Sequence, residues 1–266
     1  MSVALMTIHG FLTDTEDFGR LYDYVGWYDE VVACKIPGHD GKVDFSKFTV
    51  QATLRAVLRT FDKLAEKHDA VDIVGFSMGG ALATYVCSKR NVRKAVLVAP
   101  ANKYFNFNSP LATLKFYIGK FKNAFFQRGS VAHRLNQTGK ALEPHLYNAS
   151  VSMDIALKRM LPNISVHTFQ VFAALIKTIN HQIETHKVST PCLLIWGQLD
   201  ELVPEASIDY LRHLLPTNLY IKHHDIGHAM LLGSKDHVVI TDIVEYLSNK
   251  KLAKPIPKKQ IASKPN

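Results

Sequence analysis

The sequence predicts an α/β domain: a mostly parallel sheet of about six strands, covered by helices on both faces, with a helical insertion. Three observations predict it. Short apolar runs alternate with helical stretches through most of the chain, the pattern of a parallel sheet with crossover helices. One strand pattern runs through Gly75-Phe76-Ser77-Met78-Gly79 straight into a helix pattern. Residues 101–187 then break the alternation with a helix-rich, aromatic-rich stretch that holds no convincing strand.

The elements follow in order. Residues 4–8 form a first strand, ended at Gly10, with a helix around Asp14–Tyr24. Val31–Ile36 is a second strand, and Pro37-Gly38-His39-Asp40-Gly41 a loop. Val50, Leu54, Val57, Leu58, Phe61 and Leu64 recur at helical spacing. Val71, Ile73 and Val74 make the apolar run of a buried strand, followed by Ala81, Leu82, Ala83, Tyr85 and Val86 at helical density. Ala95–Ala99 is a strand closed by Pro100. After the insertion, Cys192–Trp196 and Leu219–Lys222 are strands, Pro204–Leu214 is the helix between them, and Val238–Leu247 a last helix. The organisation is therefore a core over 1–100 and 188–249, a helical cap of about four helices over 101–187, and a tail over 250–266.

Composition bounds the class. The chain has 266 residues, 47% hydrophobic and 21% charged, which suits a globular protein with a sizeable core. Three cysteines, Cys34 and Cys192 in strand patterns and Cys87 on the apolar side of a helix, read as buried thiols in a reducing compartment. The expected location is cytoplasmic. Met1–Met6 carries no basic residue and its apolar run ends at His9-Gly10, so it reads as a strand rather than a signal peptide. No run of residues is long enough to cross a bilayer. No Cys/His spacing fits a metal site, so neither metal nor cofactor is expected. The net charge of +9 is unevenly spread. Residues 250–266 hold six Lys and no acid, and 101–187 hold eleven Lys/Arg against three acids. The remainder is mildly acidic, which argues against a nucleic-acid enzyme with a basic groove in its body. The tail reads as a solvated, disordered end. The basic cap and tail could also draw the protein to an anionic membrane surface or an acidic substrate. Nothing in the pattern specifies an oligomer.

The pentapeptide around Ser77 carries the chemistry. A sharp strand-to-helix turn strains its central residue and crowds the neighbours, and glycines two positions to either side relieve that crowding. The turn lifts the Ser77 Oγ from the sheet and aims a helix N-terminus at the same point. A serine hydroxyl needs a base in reach, and the base needs an acid to fix its tautomer. Asp200 lies just past the strand ending at Trp196, and His228 just past the strand ending at Lys222. Both are strand carboxyl ends, on the edge where Ser77 projects. Glu201 is a rival acid, whereas Asp225 and Asp236 flank the histidine too closely to reach its ring from behind. His223 and His224 lie on a strand and His237 starts a helix, so the Gly-His-Ala loop makes His228 the base. The oxyanion donors are the N–H of Met78, directly after the nucleophile, and the N–H of Phe11 in the loop after the first strand. His9 and Gly10 of that loop are counted with the substrate-binding residues, although bracing the loop suits His9 better than catalysis. Phe105 and Phe126 are taken as cap residues lining the pocket.

His9-Gly10-Phe11, Gly75-Phe76-Ser77-Met78-Gly79-Gly80, Gly197–Asp200 and Gly227-His228 together resemble the motifs of the α/β-hydrolase superfamily over about residues 4–248. Ile36-Pro37-Gly38-His39 resembles the loop after the second strand in capped carboxylesterases and monoacylglycerol lipases. The resemblance implies a serine hydrolase that cleaves carboxylic esters, with short or medium acyl chains or monoacylglycerol-like, through an acyl-enzyme. It departs in one respect: the chain starts at the strand the family counts third, so the N-terminal hairpin is missing. The superfamily's dehalogenases and epoxide hydrolases use an aspartate nucleophile, which Ser77 argues against. Peptidase, amidase and thioesterase chemistry use the same three groups. Aminopeptidases of the superfamily hold the substrate amine with cap carboxylates, and this cap offers Glu143, Asp154 and Glu184. A complete set of three groups argues against a fold kept only as a ligand receptor.

Overall fold

The computed structural model describes residues 1–39, 43–103, 164–200, 202–232, 235–252 and 256. Among the described residues, six strands form one sheet: β1 (Val3–Ile8), β2 (Glu30–Cys34), β3 (Ala70–Phe76), β4 (Lys94–Val98), β5 (Cys192–Gly197) and β6 (Asn218–His223). Their order is β2-β1-β3-β4-β5-β6, and every pairing is parallel. The chain leaves β1 to one side for β2 and returns on the other side for β3. The order reverses there, so a crevice opens at the carboxyl ends of β1 and β3. The register aligns those ends: Ile8 lies opposite Gly75, Phe76 opposite Val98, and Gly197 opposite His223.

Side-chain alternation divides the core into two layers. Ala4, Met6, Ile8, Ile73, Leu97, Cys192, Leu194 and Trp196 face one layer. Leu5, Val74, Phe76, Val96, Val98, Leu193 and Ile195 face the other. The first is covered by α1 (Val50–Ala65), α2 (Met78–Lys89), α3 (Val166–Thr185) and α4 (Glu205–Leu214). The second is covered by a 3-10 segment (Thr15–Tyr24) and α5 (Asp236–Ser248). Helix starts follow from local chemistry. The Thr49 hydroxyl accepts from the Ala52 N–H at the start of α1, and Ser165 with Thr168 forms a reciprocal cap on α3.

Two elements differ from the sequence reading. The helix expected around Asp14–Tyr24 is 3-10 and kinks at Gly19 (φ 45°, ψ −121°). The segment passes so close to the loop after β6 that a Cβ on Gly19 would lie 3.1 Å from the Leu231 carbonyl oxygen. The sequence pattern makes residues 101–187 one insertion, but α3 packs into the same layer as α1 and α2 and buries Leu175, Ile176, Ile179 and Ile183 there. Asn102 and Asn180 tie it to the end of β4: the Asn180 amide donates to the Asn102 carbonyl (2.8 Å) and the Asn102 amide to Asn180 Oδ1 (3.0 Å). Periodicity identifies such a helix but not the layer it covers. Residues 104–163 and all but Ile256 of the tail's last fourteen positions lie outside the described residues. Cys34, Cys87 and Cys192 are buried thiols. Among the described residues no helix is long and apolar enough to cross a membrane.

Candidate active site

Ser77 follows β3 directly and caps α2, with φ 55° and ψ −117°. A non-glycine residue in that region is strained by about 1–3 kcal/mol and needs support from several sides. The Ser77 N–H donates to the Val98 carbonyl (2.9 Å), and the Ser77 carbonyl accepts from the N–H groups of Gly80 and Ala101 (3.0 Å each). A Cβ on Gly75 would strike the Gly79 carbonyl, and a Cβ on Gly79 the Ile8 carbonyl. The flanking glycines are therefore required by the closeness of β1, β3 and α2. Leu12 (φ 61°) and Ala99 (φ 44°) also have left-handed backbone. Like Ser77, they sit just past the carboxyl end of a strand.

Two further loops meet this serine. The His228 Nε2 lies 3.1 Å from the Ser77 Oγ, and the His228 Nδ1 lies 2.7 Å from Asp200 Oδ2. The other Asp200 oxygen accepts from the N–H groups of Leu202 and Val203, both at 2.8 Å. A buried carboxylate held by two N–H donors acts only as an acceptor, so the facing Nδ1 carries the proton. The Nε2 lone pair then points at the hydroxyl. The Asp200 and His228 loops are zipped together: the Gln198 N–H donates to the His223 carbonyl (2.8 Å) and the Leu199 N–H to the Ile226 carbonyl (3.0 Å). A Cβ on Gly197 would collide with the Ile226 carbonyl, so only glycine permits this approach. Phe76 packs against the imidazole with ring centroids 5.1 Å apart.

The loop after β1 completes the rim. The fully buried His9 turns its Nδ1 to the Gly10 carbonyl at 3.0 Å. A carbonyl only accepts, so Nδ1 holds the proton. Burial pushes the His9 ring down to about 4, against the pull of that bond, so it is neutral at physiological pH. The peptide bond is planar and trans, so fixing the Gly10 C=O fixes the opposite direction of the Phe11 N–H. The Phe11 ring stacks on Phe172 of α3 (centroids 4.5 Å, planes 15° apart) and meets Phe169 edge-on at 5.4 Å. Met78 is the first residue of α2, so its N–H is one that an α-helix leaves without an internal partner.

Comparison with known proteins agrees with this architecture. A family model described as alpha/beta hydrolase fold matches residues 8–234. The chain belongs to the alpha/beta hydrolase fold family. Among its relatives, a pimeloyl-[acyl-carrier protein] methyl ester esterase of Neisseria meningitidis serogroup C is 27% identical over 236 residues, 85% of this chain and 86% of that protein. The solved monoacylglycerol lipase of Paleococcus ferrophilus superposes with a TM-score of 0.64 at 18% identity, covering 92% of this chain and 94% of the lipase. The enol-lactonase of Burkholderia xenovorans gives a TM-score of 0.68 at 15% identity over 93% and 92% of the two chains.

The rival side chains of this hydrolase are engaged elsewhere. His223 pairs with Asp242 at 2.9 Å, and the His224 ring lies 2.6 Å from Gln198 Oε1. Asp225 pairs with Lys235, and Asp236 faces Arg20 at 3.4 Å. Glu201, Phe105 and Phe126 lie outside the described residues. The sequence counts His9 with the substrate-binding groups. Its complete burial and its bond to Gly10 make it a brace of the loop. Gly10 is hemmed in: an added Cβ would lie 3.1 Å from Thr13 Oγ1 and 3.3 Å from Asp17 Oδ2. Four neighbours of the site carry no signal in the sequence that marks them as such. In the sequence Phe169 and Phe172 do not stand out from the other aromatics of residues 101–187. The sequence places His39 in a loop, yet it is fully buried, with its ring 5.5 Å from His9 and 4.9 Å from Phe48. Burial lowers the His39 ring to about 3. Asp17 sits in a polar run with nothing local to mark it as buried.

Proposed function

We propose that this protein is a serine ester hydrolase that works through an acyl-enzyme. The observation that carries the reading is the unbroken row Ser77 Oγ, His228 ring, Asp200 carboxylate, assembled from three separate strand ends. Ser77 Oγ attacks the ester carbonyl carbon as its proton passes to His228 Nε2. The N–H groups of Phe11 and Met78 hold the tetrahedral oxyanion, and Asp200 stabilises the imidazolium. Collapse expels the alkoxide, which takes the proton from His228, and leaves the acyl group on Ser77. Water then gives a proton to His228 and its oxygen to the acyl carbon. Release of the acid returns the proton to Ser77.

The substrate class rests on weaker support. The Neisseria relative is named for a methyl ester and the Paleococcus neighbour for monoacylglycerol, and both names describe carboxylic esters. The rings of Phe11, Phe169 and Phe172 beside the oxyanion loop suit an apolar acyl group. We assign short and medium acyl esters, taken by a core with a helical cap that includes part of residues 101–187. The cationic segments 101–187 and 250–266 would favour anionic surfaces or substrates.

A panel of p-nitrophenyl esters of increasing chain length, with a p-nitroanilide and a thioester of the same acyl group, tests this reading. Turnover should be highest on a short or medium ester and vanish in Ser77→Ala. A folded wild type inactive on every ester, or a Ser77→Ala variant as active as wild type, would overturn it.

A further inference from the structure

One buried carboxyl at this rim has no part in the reaction above. Asp17 lies in the 3-10 segment after β1 and is 5% exposed. Its Oδ2 accepts from the Gly10 N–H at 3.0 Å and from the Thr13 hydroxyl. Both donors belong to the oxyanion loop, and both are neutral. Burying an ionisable carboxyl on neutral donors is unfavourable for the fold. Burial accordingly pushes Asp17 up to about 7, with the Thr13 and Gly10 bonds opposing the rise. The titratable groups facing it are Asp14 from the same loop, Tyr22 from the 3-10 segment and His228 from the loop after β6. Of these, His228 is the one whose positive charge favours ionised Asp17.

Gly10 is thus held at both ends. His9 fixes its carbonyl and Asp17 fixes its N–H. The His9 bond restrains the Gly10–Phe11 peptide directly, and the Asp17 bond restrains the His9–Gly10 peptide before it, so together they fix the Gly10 dihedrals that set the direction of the Phe11 N–H. We propose that Asp17 is a positioning residue of this hydrolase. By anchoring Gly10 it aims the Phe11 N–H at the oxyanion, and by its charge it favours the imidazolium that His228 becomes as Ser77 attacks. The proposal rests on the serine-hydrolase reading. It adds a second carboxyl, from the segment after β1, to the Asp200 carboxylate from the loop after β5.

A positioning role and a merely structural one differ in their effects. Asp17→Asn keeps the shape and an oxygen acceptor but removes the charge, and Asp17→Ala removes both. The assay uses the full chain, a short p-nitrophenyl ester, the labelling rate of a fluorophosphonate probe, and thermal unfolding of each variant. For Asp17→Asn we expect kcat to fall about 10-fold with KM within about 2-fold, and Tm at pH 8 to rise. Asp17→Ala should lose about 100-fold in kcat, near the loss from removing an oxyanion donor. The wild-type acid limb should contain an ionisation near pH 7 that is missing from Asp17→Asn. An Asp17→Asn protein with wild-type kcat and labelling rate overturns the proposal alone. So does one whose activity loss is matched by a fall in Tm. Wild-type protein that resists the probe and cleaves no ester overturns the serine-hydrolase reading, and this proposal with it.

Discussion

The two ends of the sheet bury carboxyls in opposite ways. At the amino end, the fully buried Asp72 of β3 receives Arg93 Nε at 2.8 Å, a second Arg93 nitrogen, and the Tyr28 hydroxyl at 2.5 Å. The carboxylate in turn raises the Arg93 guanidinium further, and burial together with Asp72 raises the Tyr28 phenol. Lys94 closes the same end by donating to the Tyr246 carbonyl and to Asn249 Oδ1, both at 2.6 Å, where α5 stops in a left-handed residue. At the carboxyl end, Asp17 has neutral donors, and Leu12, Ser77 and Ala99 hold strained backbone. One end satisfies its charges for stability. The other keeps groups in states that a stability criterion alone would not select, which is how a site differs from a scaffold.

Variants at the two ends should therefore part activity from stability. The largest effect is expected from His228→Ala. Turnover should fall by at least about 10⁴-fold, because the serine loses its base, while Tm stays within a few degrees of wild type. Ser77→Gly should be equally inactive and melt higher, because glycine tolerates φ 55°. Calorimetry beside an ester assay checks both, and a large loss of Tm in either would erase the contrast. Next is Arg93→Ala, which strands a buried carboxylate and should cost about 3–5 kcal/mol of stability. The kcat of its folded fraction should be unchanged, as measured below its melting range. A selective loss of kcat would show that the amino end also serves the chemistry.

A smaller effect concerns pH. Folding raises Asp17 from the usual 3.8 to about 7, so folding favours its neutral form. That contribution to stability is full below about pH 4 and is lost as pH rises through about 7. His9 behaves in reverse: held near 4 against a usual 6.5, it contributes fully above about 6.5 and loses that contribution as pH falls through about 4. Melting curves of Asp17→Asn and wild type should coincide near pH 4–5 and separate by about 3–6 °C in favour of the variant at pH 8. A constant gap would contradict the burial of that charge. The smallest effect is membrane association. Co-sedimentation with vesicles containing anionic lipid should exceed that with neutral vesicles and fade with salt. Equal sedimentation would remove the basic segments from the account.

Much of this contrast was legible in the sequence at the carboxyl end. The sheet follows from apolar runs at fixed alternation. Ser77, Asp200 and His228 follow from their places just past three strands, because parallel strands bring their carboxyl ends to one edge. Asp17 was not legible, because its burial depends on a kink at Gly19 that folds a polar run against the loop after β6. Nor was the assignment of α3 to the core layer, since an aromatic helix of a cap and one covering the sheet share the same 3.6-residue period. The bracing role of His9 could be suspected from its loop, but its bond to Gly10 depends on the turn geometry.

The central claim is that three strand ends assemble a nucleophile at Ser77. The most direct test is intact-protein and peptide mass spectrometry after rapid mixing with a short p-nitrophenyl ester and acid quenching. An acyl adduct should form on the peptide containing Ser77 within the first turnover. The adduct should be absent from Ser77→Ala and strongly slowed in His228→Ala. Turnover with no adduct on Ser77, or an adduct on another residue that persists in Ser77→Ala, would contradict it.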